Sequence, residues 1–225
     1  FAGLAVLWTA LFWTSSRGGI IALILVTPVF AILIPNFRRA LGIAFLAMVV
    51  GAVISSQIGV QNKDFGFVNA YNDTFNATSA NGFSANRLYE WGIILDFIAE
   101  RPLFGHGYGQ ALLVVSDAGV SHAHVHNIVL EFALAWGWIG AACAGFFVIW
   151  LWLRGLMKTR AGDQAERVPA FFVVSVLLVY AWVDGVYFYY HALIPMGICI
   201  GIIFAVPRCP KPEDQKDYGG SNATS

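Results

Sequence analysis

The chain has 225 residues, 58% of them hydrophobic and 12% charged, against roughly 25% charged in an ordinary soluble domain, which excludes a water-facing surface of the usual kind. Thirteen basic and thirteen acidic residues cancel to a formal net charge of zero, so bulk electrostatics makes no case for nucleic acid as a partner. Cys143 and Cys199 lie inside apolar blocks and Cys209 just after one; no disulfide framework follows, and the redox compartment stays open.

The apolar residues come in blocks, and about 20 in a row cross a bilayer core as helix. The first block, residues 1–14, is apolar from its start, with no initiator Met and no basic segment before a cleavage site; it reads as a chain that begins mid-protein, with membrane helices upstream. Blocks at 18–35 and 40–58 follow, giving three transmembrane helices within 1–58, the first truncated. After the 59–127 connection come blocks at 128–152, 169–183 and 187–206, three more spans within 128–206, and then a disordered tail at 207–225. Pro169 at the start of the short fifth block and Asp184-Gly185 after it favour a hairpin of two tilted helices over one long one. The expected fold is all-α, a polytopic membrane bundle of about six helices.

Orientation follows from the cations. With all six blocks crossing, one side holds Arg38, Arg39, Arg154, Lys158, Arg160, Arg167, Arg208, Lys211 and Lys216, and the other Arg17, Lys63, Arg87 and Arg101. The larger group sits in short loops near helix ends, where the positive-inside rule acts, and belongs in the cytoplasm. Residues 59–127 are then a periplasmic loop in a Gram-negative cell, far above the usual 4 to 6 residues of a connection, and such loops are functional or disordered. Residues 62–86, rich in Asn, Gly, Ser and Thr, read as a flexible segment. Over 87–99, Leu88, Trp91, Ile94, Leu95 and Ile98 recur at helical spacing between an Asn86 cap and an Arg101-Pro102 stop, which predicts an amphipathic helix lying on the membrane surface. The alternating glycines of the next segment, Gly105-His106-Gly107-Tyr108-Gly109, suit either a tight turn or backbone N–H groups turned to an anion.

Three places carry candidate chemistry. Arg17, in Ser-Ser-Arg-Gly-Gly, resists the positive-inside bias; it either snorkels to headgroups or meets a phosphate-bearing ligand. Arg87 stands in the first turn of the predicted surface helix, where the dipole disfavours a cation; it either pairs with Glu90 or forms a guanidinium fork for a diphosphate. His122, His124 and His126 fall within five residues where the loop re-enters the membrane. A Zn²⁺ or haem site lacks neighbouring Cys, Asp or Glu at ligand spacing, an exposed hydrophilic cluster is the plain alternative, and a histidine at a wet interface is suited to general-base work. Asn127 either orients substrate or, the preferred reading, caps the helix beginning at Ile128, and Asp184 and His191 either complete the site or, the preferred reading, hydrate the last outer turn.

Taken together, Arg17 in Ser-Ser-Arg-Gly-Gly, Arg87 in Asn-Arg-Leu-Tyr-Glu-Trp, the Arg-Pro-Leu-Phe-Gly-His-Gly-Tyr-Gly turn, and His124-Val125-His126-Asn127 followed by Glu131 and Gly137-Trp138-Ile139-Gly140 resemble the C-terminal half of the O-antigen ligase and O-antigen polymerase superfamily over roughly residues 10–145. The resemblance implies a GT-C-like glycosyltransferase of the bacterial inner membrane, its active face periplasmic. Such an enzyme moves a glycan from an undecaprenyl diphosphate carrier to an acceptor hydroxyl, on the lipid A core in a ligase or on another carrier-linked repeat in a polymerase, without metal, nucleotide or other cofactor. By motif it implies Arg17 and Arg87 as diphosphate-binding residues and His126 as the catalytic one; beside the motif, His122, His124 and Asn127 stand as candidate auxiliaries. The extra histidines depart from the pattern. Transfer to protein, a transporter and a metal- or haem-binding membrane subunit are the competing expectations; the charge-free blocks at 18–35 and 40–58 argue against a transport path.

Overall fold

Apolar runs bounded by Ser, Arg, Asn and Gly give helices over most of the described chain. The computed structural model describes residues 2–14, 16–34, 37–58, 76, 79, 87–110, 113, 125–161, 166–185, 187 and 189–205, and at 4, 39, 40 and 191 the backbone alone. The tail, most of the 59–127 connection, His122 and His124 lie outside that set. Among the described residues there are seven α-helices and no strand: α1 (Ala2–Trp13), α2 (Arg17–Leu33), α3 (Arg38–Gln57), α4 (Arg87–Glu100), α5 (Ile128–Ala161), α6 (Arg167–Tyr180) and α7 (Tyr190–Phe204). The all-α expectation holds.

The expectation of about six spans is met in one helix. By length and composition α5 is able to cross a membrane, whereas α2, α6, α7 and the apolar part of α3 are shorter; at 1.5 Å per residue the 14 residues of α6 reach about 21 Å, short of the roughly 30 Å hydrocarbon core. The outer surfaces are apolar nonetheless: Ile32, Phe45 and Phe146 are exposed at 71%, 64% and 74%, an exterior suited to lipid and not to water.

Two cores organise the helices. Val26, Phe30 and Ile34 of the α2 segment pack with Ala170, Phe171 and Val174 of α6 and Ile203 of α7. The α6–α7 hairpin expected from Pro169 and Asp184-Gly185 is present, and it is tied at its far end by Arg167, whose Nη2 donates to the Ala205 carbonyl at 2.9 Å. The second core joins Ile94 and Ile98 of α4 to Val125, Leu130, Ala133 and Leu134 around the start of α5. Of the apolar face expected for α4, Ile94 and Ile98 are buried while Leu88 and Leu95 are exposed, because the helix packs on α5 through the Glu90–Ile94–Ile98 stripe.

The 128–152 block is not one regular helix. Gly137 has φ 68°, and α5 breaks there. A break frees helical donors and acceptors, which must be paired again if buried. The glycine-rich turn supplies the partners: Trp138 N–H donates to Pro102 O at 2.7 Å, His106 N–H to Leu134 O at 2.7 Å, and Gly107 N–H to Ala135 O at 3.0 Å. His106 and Gly107 thus give their N–H groups to α5 carbonyls, which is the tight-turn alternative and not an anion nest. A Cβ on Gly105 would stand 2.6 Å from Gly137 N, and one on Gly137 would overlap Leu103 O, so the two backbones meet only because both residues are glycine.

Gly137→Ala is therefore expected to lower stability by about 2–5 kcal/mol, combining the left-handed backbone of an L-residue with displacement of the turn. Gly145→Ala, in the same helix with open space around it, leaves stability unchanged or slightly raised. Thermal unfolding of the two variants in detergent, side by side, checks this.

Candidate functional site

Three helix N-termini supply the site. Ser16 caps α2, its Oγ accepting from Gly19 N–H at 3.4 Å and lying 2.8 Å from the Tyr180 hydroxyl. Gly18 makes that contact feasible, since a Cβ there would come within 2.8 Å of the Tyr180 ring. Asn127 caps α5: its Oδ1 accepts from Val129 N–H at 2.9 Å and Leu130 N–H at 3.1 Å. The same side chain donates through Nδ2 to Trp182 O at 3.1 Å, and Ile128 N–H donates to Ala181 O at 3.0 Å, so the start of α5 is docked on the turn that ends α6. Arg87 begins α4.

Asp184 is where these elements meet. Its Oδ1 lies 3.3 Å from His126 Nδ1 and accepts Gly185 N–H at 2.7 Å; its Oδ2 lies 3.5 Å from Arg87 Nη2. The last two side chains are each about one-quarter exposed and His126 less. Burial alone pushes the Asp184 carboxyl up, but His126, the Tyr180 hydroxyl, Arg87 and the Gly185 N–H together outweigh it and hold Asp184 down at about 2. An ionised carboxylate can only accept, so the proton between the two groups is on Nδ1 of His126, and in the neutral ring the lone pair is on Nε2. His126 reaches Asp184 from a left-handed backbone, φ 56°, which is uncommon for a residue with a Cβ.

Beside this carboxylate lies a pocket of about 520 Å³ lined by Leu11, Thr14, Ser16, Arg17, Gly18, Arg87, Tyr180 and Asp184. Two guanidinium groups against one carboxylate, reinforced by the positive ends of α2 and α4, suit an anion. A second hollow, of about 40 Å³ between α5, α6 and α7, is lined by aliphatic and aromatic residues and is too small for a sugar.

Of the expected site residues, Arg17 and Arg87 line one pocket and His126 stands against the Asp184 wall of it, while Asn127 acts as a helix cap. Arg87 finds a carboxylate in Asp184 on the far side of the chain. Asp184 itself corrects an expectation: it does not simply hydrate its turn but joins the α4, α5 and α6 ends. Tyr180 and Ser16 were not anticipated. The available signal was that Asp184 is the sole acidic residue in 169–206, and an ionisable group inside an apolar stretch marks a site. The His191 side chain lies outside the described residues. Among the described residues no three His, Cys, Asp or Glu side chains gather as a metal set would.

A family model described as O-antigen ligase matches residues 2–145. The chain belongs to the O-antigen ligase family. No curated protein and no solved structure matches it. As a member of the O-antigen ligase family it is a membrane protein of the ligase or polymerase type of glycosyltransferase. The matched segment carries Arg17, Arg87, His126 and the α5 break, and it stops before Tyr180 and Asp184, so the carboxylate that joins the site comes from beyond it.

Because the folded-state value of Asp184 lies below the ordinary one, ionised Asp184 contributes stability that is complete above the unfolded value of about 4 and is lost as pH falls towards about 2. The melting-temperature gap between the wild type and Asp184→Asn should narrow as pH falls from about 4 to about 2. Thermal unfolding in detergent across that range measures it; a gap that widens in acid contradicts the assignment.

Proposed function

We propose that the protein is an O-antigen ligase that moves a glycan from an undecaprenyl diphosphate carrier to a hydroxyl of the lipid A core, on the periplasmic face of the bacterial inner membrane, as a multi-pass enzyme. The observation that carries this reading is the pairing of a two-arginine pocket with a histidine whose Nδ1 is engaged by Asp184. Arg17 and Arg87 hold the diphosphate. The acceptor oxygen attacks the anomeric carbon, its proton passes to His126 Nε2, and the bond from that carbon to the diphosphate oxygen breaks with its electron pair leaving on the phosphate. Asp184 stabilises the imidazolium so formed, as a carboxylate does for a histidine base elsewhere. Fixed guanidinium groups stabilise the leaving charge most where water is excluded. The glycosyl–diphosphate bond supplies the driving force, so the reaction calls for no nucleotide, and the residues given roles call for no metal.

The uneven cation count across the helices supports the periplasmic orientation. Exchanging Arg17 or Arg87 for Lys removes the bidentate fork while keeping the charge. With the substitutions made in the complete gene as its sole copy in the cell, His126→Ala should abolish glycan attachment at normal protein level, and Arg17→Lys and Arg87→Lys should lower it by about 10- to 1000-fold, in line with loss of one charge-stabilising donor. Undiminished attachment in His126→Ala removes His126 as the base. Lipopolysaccharide banding of a deletion strain separates the acceptors: loss of every capped species marks a ligase, and a single-repeat cap marks a polymerase.

A further inference from the structure

His126 sits between two peptides that are pinned on both sides. After it, Asn127 is fixed by the α5 cap and by Trp182. Before it, Val125 is 1% exposed and packs in the α4–α5 core; its carbonyl accepts from Trp91 Nε1 at 3.0 Å, and its N–H donates to Glu131 Oε2 at 3.2 Å. Glu131 is 8% exposed, a turn into α5, and the same Oε2 accepts from the Tyr187 hydroxyl at 3.5 Å, in the turn just past Asp184. One buried carboxylate oxygen therefore holds the strand of chain before His126 and the strand of chain after Asp184. No role in the transfer chemistry above uses it.

We infer that Glu131 is the positioning residue of this site: by fixing Val125 it keeps His126 in its left-handed conformation, with Nδ1 on Asp184 and Nε2 directed to the acceptor. The inference rests on the glycosyl-transfer reading for its effect on rate, and on geometry alone for its effect on His126. Without the Glu131 acceptor the Val125 N–H loses its partner in a buried place, and His126 relaxes to the negative φ that a residue with a Cβ prefers. Arg17 and Arg87 stand on α2 and α4 and are not among the groups that Glu131 holds, so they keep their places in the pocket.

The test uses the full-length protein in lipid nanodiscs with an undecaprenyl diphosphate-linked glycan donor and a lipid A core acceptor, comparing wild type, Glu131→Ala and Glu131→Gln. Glu131→Ala should lower kcat by about 100-fold, the scale of a misplaced catalytic group, with donor KM within about 2-fold. Glu131→Gln keeps an oxygen acceptor for Val125 and should recover most of the rate. Independently of turnover, modification of His126 by diethyl pyrocarbonate, followed by peptide mass spectrometry, should run several-fold faster in Glu131→Ala than in Glu131→Gln or wild type. If Glu131→Ala does not fold, Trp91→Phe releases the carbonyl of the same residue, Val125, and should give the same kcat and His126 pattern at smaller amplitude. Glutamine as inactive as alanine would make the carboxylate itself a chemical participant and overturn positioning. So would unchanged His126 reactivity in the folded variants, or a donor KM that rises as kcat falls. A wild type that transfers nothing, with His126 still exposed by Glu131→Ala, would sink the glycosyl-transfer reading and uphold the positioning.

Discussion

A half-buried carboxylate must find cations or hydrogen-bond donors, or it takes up a proton. Asp184 finds them in residues 58 and 97 positions away along the chain, His126 and Arg87, and in the N–H of its own neighbour. Most of the geometry of the site follows from that need. The α6 turn has to stand against the starts of α4 and α5, and Tyr180 has to lie across the start of α2, which is possible because residue 18 has no side chain. The same contacts decide the chemistry of the histidine: with the carboxylate ionised, only one tautomer satisfies the bond, and it is the one that leaves Nε2 basic.

The far end of α4 explains how Arg87 is kept in place. From Arg87 to its end before the glycine turn α4 has 14 residues, about 21 Å, so a small tilt of the helix moves the guanidinium by ångströms. The tilt is set at the turn, where the α5 break at Gly137 exchanges its internal hydrogen bonds for bonds to Pro102, His106 and Gly107. His106 adds a bond from Nε2 to the Phe97 carbonyl at 2.6 Å, closing the turn onto the last part of α4. Two glycines in contact thus act on an arginine one helix length away, with the Ile94–Ile98 stripe as the rigid link.

Much of this was legible in the residues before any coordinates. Apolar blocks gave the helices, because burial in lipid or protein leaves the same compositional mark. Arg17 and Arg87 were visible as cations in places that disfavour cations, and His126 through its position at a loop end. Asp184 was visible only as an isolated acid, and its partners were not, since no periodicity links residues 58 and 97 apart; the pairing is a tertiary fact. The α5 break was hidden for a related reason. A glycine in an apolar helix is common, and Gly137 differs from Gly145 only in what packs against it. Leu88 and Leu95 share the helical spacing of Ile94 and Ile98 yet are exposed, because spacing marks the apolar residues of α4 and not which of them meet α5.

On the proposed reading, the position of Asp184 also divides the labour of the two substrates. Arg17, Arg87 and Tyr180 line the pocket with Asp184, whose Oδ2 meets Arg87 while its Oδ1 meets His126, so the diphosphate falls to the arginines and the acceptor hydroxyl to the histidine, both beside one fixed negative charge. That charge repels a phosphate from the base and leaves it to a neutral hydroxyl. It also stabilises positive charge on the imidazole only as the proton arrives, which is when the leaving diphosphate gains its own negative charge against the arginines. Both charges then develop beside groups already oriented to meet them, and little rearrangement is left for the reaction itself.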